Sequence, residues 1–146
     1  MFDREIRTDI DIAARPEQVW DVLTALDQWS QWNPVLAGIV LDGSLREGAR
    51  GRLSVELPPP VGRRSIAVRL VTVRPREELA WQGGVAGVVE GRHGFRLEAT
   101  DLGTRVIHSE TFSGVMAPAL VALLRRQLER RYRRLNRGLR ERCERS

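Results

Sequence analysis

Two histidines and one glutamate are the residues of this sequence whose types and spacing suit proton movement. Within residues 89–100, His93 alternates with Phe95, Leu97 and Ala99, while Arg92, Arg96 and Glu98 occupy the opposite phase. A strand repeats every two residues, so the apolar members carry His93 inward. In residues 104–112, Val106, His108, Glu110 and Phe112 share one phase. A tight turn that pairs Asp101 with Thr104 sets Leu97 opposite His108, Phe95 opposite Glu110 and His93 opposite Phe112. His93 is then diagonal to Glu110, at about 7–8 Å between backbones. An imidazole beside a carboxylate in an apolar pocket is suited to general acid and base work, because desolvation and the neighbouring charge move both pKa values toward working pH. The same groups can equally be core polar side chains satisfied by one another, and the residues leave both readings open.

Other chemistries find less in the sequence. No Gly-x-Ser-x-Gly occurs, and the single cysteine, Cys143, sits among arginines near the chain end. Cys143 and two histidines cannot fill a four-ligand zinc site, and no Cys-x-x-Cys spacing exists. Gly83-Gly84 and Gly91 fit neither a phosphate loop nor a dinucleotide fingerprint. No metal or cofactor is therefore expected. Arg52 sides with Ser54 and Glu56 against Leu53, Val55 and Leu57, and Arg69 also lies in a strand pattern; both are expected to face solvent.

At 146 residues and 42% hydrophobic, the chain fits one domain over residues 1–146 that can build a core without disulfides. Every basic residue other than histidine is arginine, and ten of the 24 fall between Arg125 and Arg145, against three glutamates. That could be an electrostatic footprint for RNA, ribosomes or an acidic protein. However, Glu129 lies four residues from Arg125 and Arg133, and Glu141 four from Arg137 and Arg145, the ordinary spacing of a solvated helix face. Tyr132 is the one aromatic interleaved there, so nucleic acid is the disfavoured partner. The charged start MFDREIRTDI lacks a signal-peptide core and no run is long and apolar enough to span a bilayer, so a cytoplasmic location is expected.

The elements that must position these groups follow from periodicity. Residues 4–13 alternate, with Ile6, Thr8, Ile10 and Ile12 on one side, which predicts a half-buried strand. Pro16 with Glu17 opens a helix striped by Val19, Val22, Leu23 and Leu26, which breaks in two and closes through Trp29, Trp32 and Asn33-Pro34. Strands are predicted at 36–42, 50–57, 65–74, 78–83, 89–100 and 104–112, an antiparallel meander. Residues 58–64, with three prolines, are expected to form a projecting loop, and Gly83–Gly87 a mobile connection. From about Met116 the period becomes helical to about Cys143, with Leu120, Leu124, Leu128, Tyr132, Leu135 and Leu139 on one stripe. The first half, residues 115–124, is apolar all round, so it is expected to be buried on several sides, to face a cavity, or to meet a partner such as a second copy of the chain. The economical arrangement is α+β, a curved seven-stranded antiparallel sheet wrapped around the long C-terminal helix, with two short helices after strand one.

The segments PEQVWDVLTALDQWSQWNP (16–34) and EGRHGFRLEATDLGTRVIHSETFSG (90–114), followed by an apolar, Pro-containing helix start, resemble the polyketide cyclase/dehydrase branch of the SRPBCC (START-like, helix-grip) superfamily. The resemblance covers essentially the whole chain. It implies a deep hydrophobic cavity closed by the C-terminal helix and adjacent loops, but no particular reaction. Trp20, Trp29, Trp32 and Trp81 are expected mainly in the core, with Trp32 and Pro34 bordering the cavity mouth beside Pro59 and Met116. The expected ligand-binding set is Trp32, Pro34, Trp81, His93, Phe95, Leu97, His108, Glu110, Phe112, Met116, Leu120 and Leu124. The leading expectation is a binder of a small hydrophobic molecule, a lipid, isoprenoid or polyketide. The alternatives are a cyclase or dehydratase using His93, His108 and Glu110, and an interaction module using the Arg-rich helix.

Overall fold

The computed structural model describes residues 4–145; residues 1–3 and Ser146 of the span assigned to one domain lie outside them. The chain runs β1 (Arg4–Ile12), α1 (Pro16–Thr24), a short 3-10 helix (Leu26–Gln31), β2 (Leu36–Leu41), β3 (Arg50–Glu56), β4 (Arg63–Arg74), β5 (Glu78–Val85), β6 (Val89–Thr100), β7 (Gly103–Ser113) and α2 (Ala117–Glu144). The seven strands form one antiparallel sheet in the order β1-β7-β6-β5-β4-β3-β2. Register shifts between Leu36 and Gly38 and between Leu70 and Thr72 add local bends, so the sheet can curl around α2.

The alternation read in β1 is realised, with Ile6, Thr8 and Ile12 buried and their neighbours outward. Pro16 occupies the first turn of α1, where its missing N–H costs nothing. The break before the 3-10 helix turns the chain so that Trp29 is fully buried, its indole N–H donating to the Leu23 carbonyl at 3.0 Å. Asn33 then caps the entry to β2, its Oδ1 accepting from the Val35 and Leu36 amides at 2.9 and 2.8 Å. All four tryptophans are buried. Gly138 permits the close approach of α2 to this region, because a Cβ there would collide with the Trp32 carbonyl oxygen.

Several expectations need correction. Arg63 and Arg64 belong to β4, because they pair with Glu56 and Val55, so the proline loop is shorter than 58–64. Gly83, Gly84 and Val85 are strand residues paired with Gly91, Glu90 and Val89, leaving a tighter connection than Gly83–Gly87. The hairpin between β6 and β7 turns at Asp101 and Leu102, pairing Thr100 with Gly103. The register is therefore two residues from the expected one. An even shift keeps every side chain on its face, but it sets His93 directly opposite Glu110 and Phe95 opposite His108.

The first half of α2 is also less enclosed than its composition suggests. Ala117 and Val121 are buried and Leu120 partly so, but Leu123 is 80% exposed. This end of the helix faces the interior along one side only. The second half packs chiefly against β1 through Leu135, Leu139 and Cys143, which join the core formed by Trp20, Trp29, Trp81, Phe95 and the β-strand aliphatics. A smaller core group, Ile6, Phe112, Ala117, Val121 and Tyr132, closes the other end.

Candidate functional site

Between sheet and helix lies a cavity of about 400 Å3 whose wall draws on both core groups. β3 and β4 supply Leu53, Val55, Ile66 and Val68, β5 supplies Trp81, and α2 supplies Leu120, Leu124 and Leu128. The polar side chains in the wall are His93, Glu110, Tyr132 and Arg131.

Of the expected ligand-binding residues, Trp81, His93, Glu110, Phe112, Leu120 and Leu124 line this cavity. Phe95, Leu97 and His108 are buried behind the wall. Trp32 and Pro34 instead border a surface hollow beside Gly138, on the far side of the 3-10 helix. Met116 is 51% exposed at the start of α2, its amide donating to the Val88 carbonyl, and Pro59 is exposed in its turn; neither lines the cavity. Arg52 and Arg69 are exposed, as their strand phase requires.

The polar side chains form a continuous hydrogen-bonded series that reaches from the cavity into the core. Asn136 on α2 donates from Nδ2 to Thr8 Oγ1 at 2.8 Å, and its Oδ1 lies 2.7 Å from His108 Nδ1. Thr8 in turn donates its one hydroxyl proton to the His108 carbonyl, so its oxygen must be the acceptor toward Asn136, which fixes the amide orientation. An Asn oxygen on His108 Nδ1 requires the proton there and leaves Nε2 as an acceptor. His93 Nε2, 2.6 Å away, must then be the donor to it. The lone pair of His93 Nδ1 is left facing Glu110 Oε1 at 3.5 Å. Tyr132 donates to the same carboxyl oxygen. Two acceptors facing one another are unfavourable, so this geometry favours one proton shared between Glu110 and His93.

The electrostatics agree. Burial pushes the Glu110 carboxyl up to about 7, opposed by the Tyr132 hydrogen bond. Burial holds His93 down at about 3. Burial, then the neighbouring His93, hold His108 well below the ordinary histidine value, opposed by Asn136 and the Tyr132 backbone. Burial and Glu110 raise Tyr132. Neutral imidazoles suit this setting, since His93 stacks on Trp81 at 4.7 Å and His108 on Phe95 at 4.5 Å between ring centres. Space for the Glu110 carboxylate is made by Gly91, where a Cβ would collide with Glu110 Oε2.

Thr8, Asn136 and the role of Tyr132 are absent from the expected site. Their signal was a polar residue on an apolar phase: Thr8 between Ile6 and Ile10, and Asn136 four residues beyond Tyr132 and beside Leu135. A buried polar group demands a partner, so each such position points at another.

A family profile described as polyketide cyclase / dehydrase and lipid transport matches residues 3–144. The chain belongs to this family. No curated protein gives a significant sequence match. Among solved structures, Ara h 8.0201 superposes with a TM-score of 0.76 at 10% identity, over 99% of this chain and 100% of that one. The Zhui aromatase/cyclase from Streptomyces sp. R1128 gives 0.75 at 16% identity, over 99% and 95%. The di-domain aromatase/cyclase StfQ of the steffimycin pathway gives 0.75 at 15% identity, with 97% of this chain matching 51% of that one. At such identities these likenesses establish the helix-grip fold and nothing beyond it.

Proposed function

We propose that this protein binds a small hydrophobic molecule, of lipid, isoprenoid or polyketide type, in the cavity between the sheet and α2. The observation that carries the reading is the cavity wall itself, apolar over β3, β4 and α2, with hydrogen-bonding groups gathered at His93, Glu110 and Tyr132. Each 100 Å2 of ligand surface taken from water there contributes roughly 2.5 kcal/mol before the costs of association, and one or two polar contacts fix orientation. Native mass spectrometry of the freshly purified protein, with any excess mass extracted and identified, tests it. A discrete apolar adduct supports the reading. An adduct-free mass, together with no thermal stabilisation by an apolar ligand panel, counts against it.

A second reading adds acid-base catalysis on a bound polyketide-like chain, and the shared proton at Glu110 and His93 favours it. A carboxyl that titrates near neutrality can take a proton from carbon beside a carbonyl and return one to a departing hydroxyl, as cyclisation with dehydration requires. In this reading Glu110 exchanges protons with substrate, and His93 touches both Glu110 and the cavity. His108 and Asn136 are positioning residues that hold the His93 tautomer. Glu110→Gln should then remove turnover of a genuine substrate while leaving its binding intact, and unchanged turnover would dismiss the catalytic role.

A further inference from the structure

Arg131 is the wall residue that neither the apolar lining nor the Glu110 cluster accounts for. It lies half-buried on α2, next to Tyr132, at the part of the cavity walled by Leu57, Val55 and Leu128. Its Nη2 donates to the Glu56 backbone carbonyl at 2.5 Å. The Glu56 carboxylate pairs with Arg63, and no ion pair joins it to Arg131. Among the described residues no carboxylate lies within ion-pair distance of Arg131, whereas Arg125 on the same helix has Glu129. Glu110 shares the cavity but takes its hydrogen bond from Tyr132 rather than from Arg131.

A guanidinium stays charged at any working pH and has five N–H donors in a planar fork. Here one donor is used by protein. Partial burial of a charge without an opposite charge beside it is unfavourable, as the lowering of the Arg131 pKa by desolvation also indicates. A ligand that brings its own anion relieves that cost, and a carboxylate fits the fork in bidentate geometry. With a carboxylate held at Arg131, the apolar body of such a ligand would extend along Leu53, Val68 and Trp81 toward His93 and Glu110.

Resting on the binding function proposed above, we infer that Arg131 is the specificity-determining residue of the cavity and that its ligand is an apolar monocarboxylate. Sequence phase alone places Arg131 in an arginine-rich helix like its neighbours; its separate role comes from facing the cavity.

The test is calorimetric titration at neutral pH of wild type, Arg131→Gln and Arg131→Lys with decanoate and with decanol. The expected result is that wild type prefers decanoate by about tenfold or more, that Arg131→Gln loses this preference, and that Arg131→Lys keeps part of it. Decanol should bind all three alike, which also shows that the variants retain a formed cavity. Equal binding of decanoate and decanol by wild type, or a preference that survives in Arg131→Gln, overturns the assignment of Arg131 and leaves the cavity reading standing. Failure of wild type to bind either compound overturns both.

Discussion

Glu110 is where the protonation state of the cavity is decided, because its carboxyl faces one imidazole lone pair and one phenol. Titration of its carboxyl carbon by NMR should give a midpoint near 7. Tyr132→Phe should move that midpoint upward, since the phenol hydrogen bond is the influence that lowers it. The pH dependence of folding follows with a definite sign. Glu110 binds its proton more tightly folded than unfolded, so its contribution is fully present below about 4.5 and is lost as pH rises through about 7. His93 acts oppositely: its contribution is present above 6.5 and lost as pH falls toward about 3. Between 4.5 and 6.5 the two oppose each other. Urea unfolding at a series of pH values should therefore show stability rising more steeply across that window in Glu110→Gln than in wild type. Asn136→Ala should cost about 1–3 kcal/mol in the same assay, because it leaves the buried His108 Nδ1–H without its acceptor and Thr8 Oγ1 without its donor. Gly91→Ala should displace the carboxylate it now accommodates and shift the Glu110 titration, without emptying the core.

At the scale of elements, the strand pattern was legible because alternation in β1, β6 and β7 is regular and each strand is bounded by turn residues. The faces of His93, His108 and Glu110 followed from that alternation. Which of them sit opposite one another did not, because neither Asp101-Leu102 nor Leu102-Gly103 carries the Asn-Gly, Asp-Gly or Gly-first signature that would single out one two-residue turn. Gly103 sits where a Cβ would collide with the Ile12 carbonyl oxygen, a tertiary constraint that no local pattern carries. For the same reason Trp32 and Pro34 read as cavity residues although the 3-10 helix turns them toward Gly138. The apolar start of α2 was ambiguous by composition, since a helix that lines a cavity on one side and is open on the other has the same residues as one buried all round. The helix therefore has two regimes. Gly138→Val should destabilise the fold by about 2 kcal/mol or more, because the clash is with backbone and cannot be relieved by a rotamer. Leu123→Gln, on the open side, should change stability by no more than about 0.5 kcal/mol. Thermal or urea unfolding of the two variants checks both.

For the whole molecule, the curled sheet and the long helix are held together at their ends by separate core groups, and the space between them is the cavity. That division joins sheet and helix on either side of the cavity: α2 is anchored by Leu135, Leu139 and Cys143 at one end and by Ala117 and Val121 at the other. The charge on α2 is distributed to match, with most arginines on the solvated side and Arg131 directed to the cavity. The central claim is that this space is a ligand site, and methyl NMR tests it most directly. Titration with decanoate should shift the methyl resonances of Leu53, Val55, Val68, Leu120 and Leu124 together, and Val55→Trp, which fills the space, should abolish the response while leaving the rest of the spectrum in place. Shifts confined to exposed methyl groups such as those of Val115 and Leu123, or a response that persists unchanged in Val55→Trp, would contradict it.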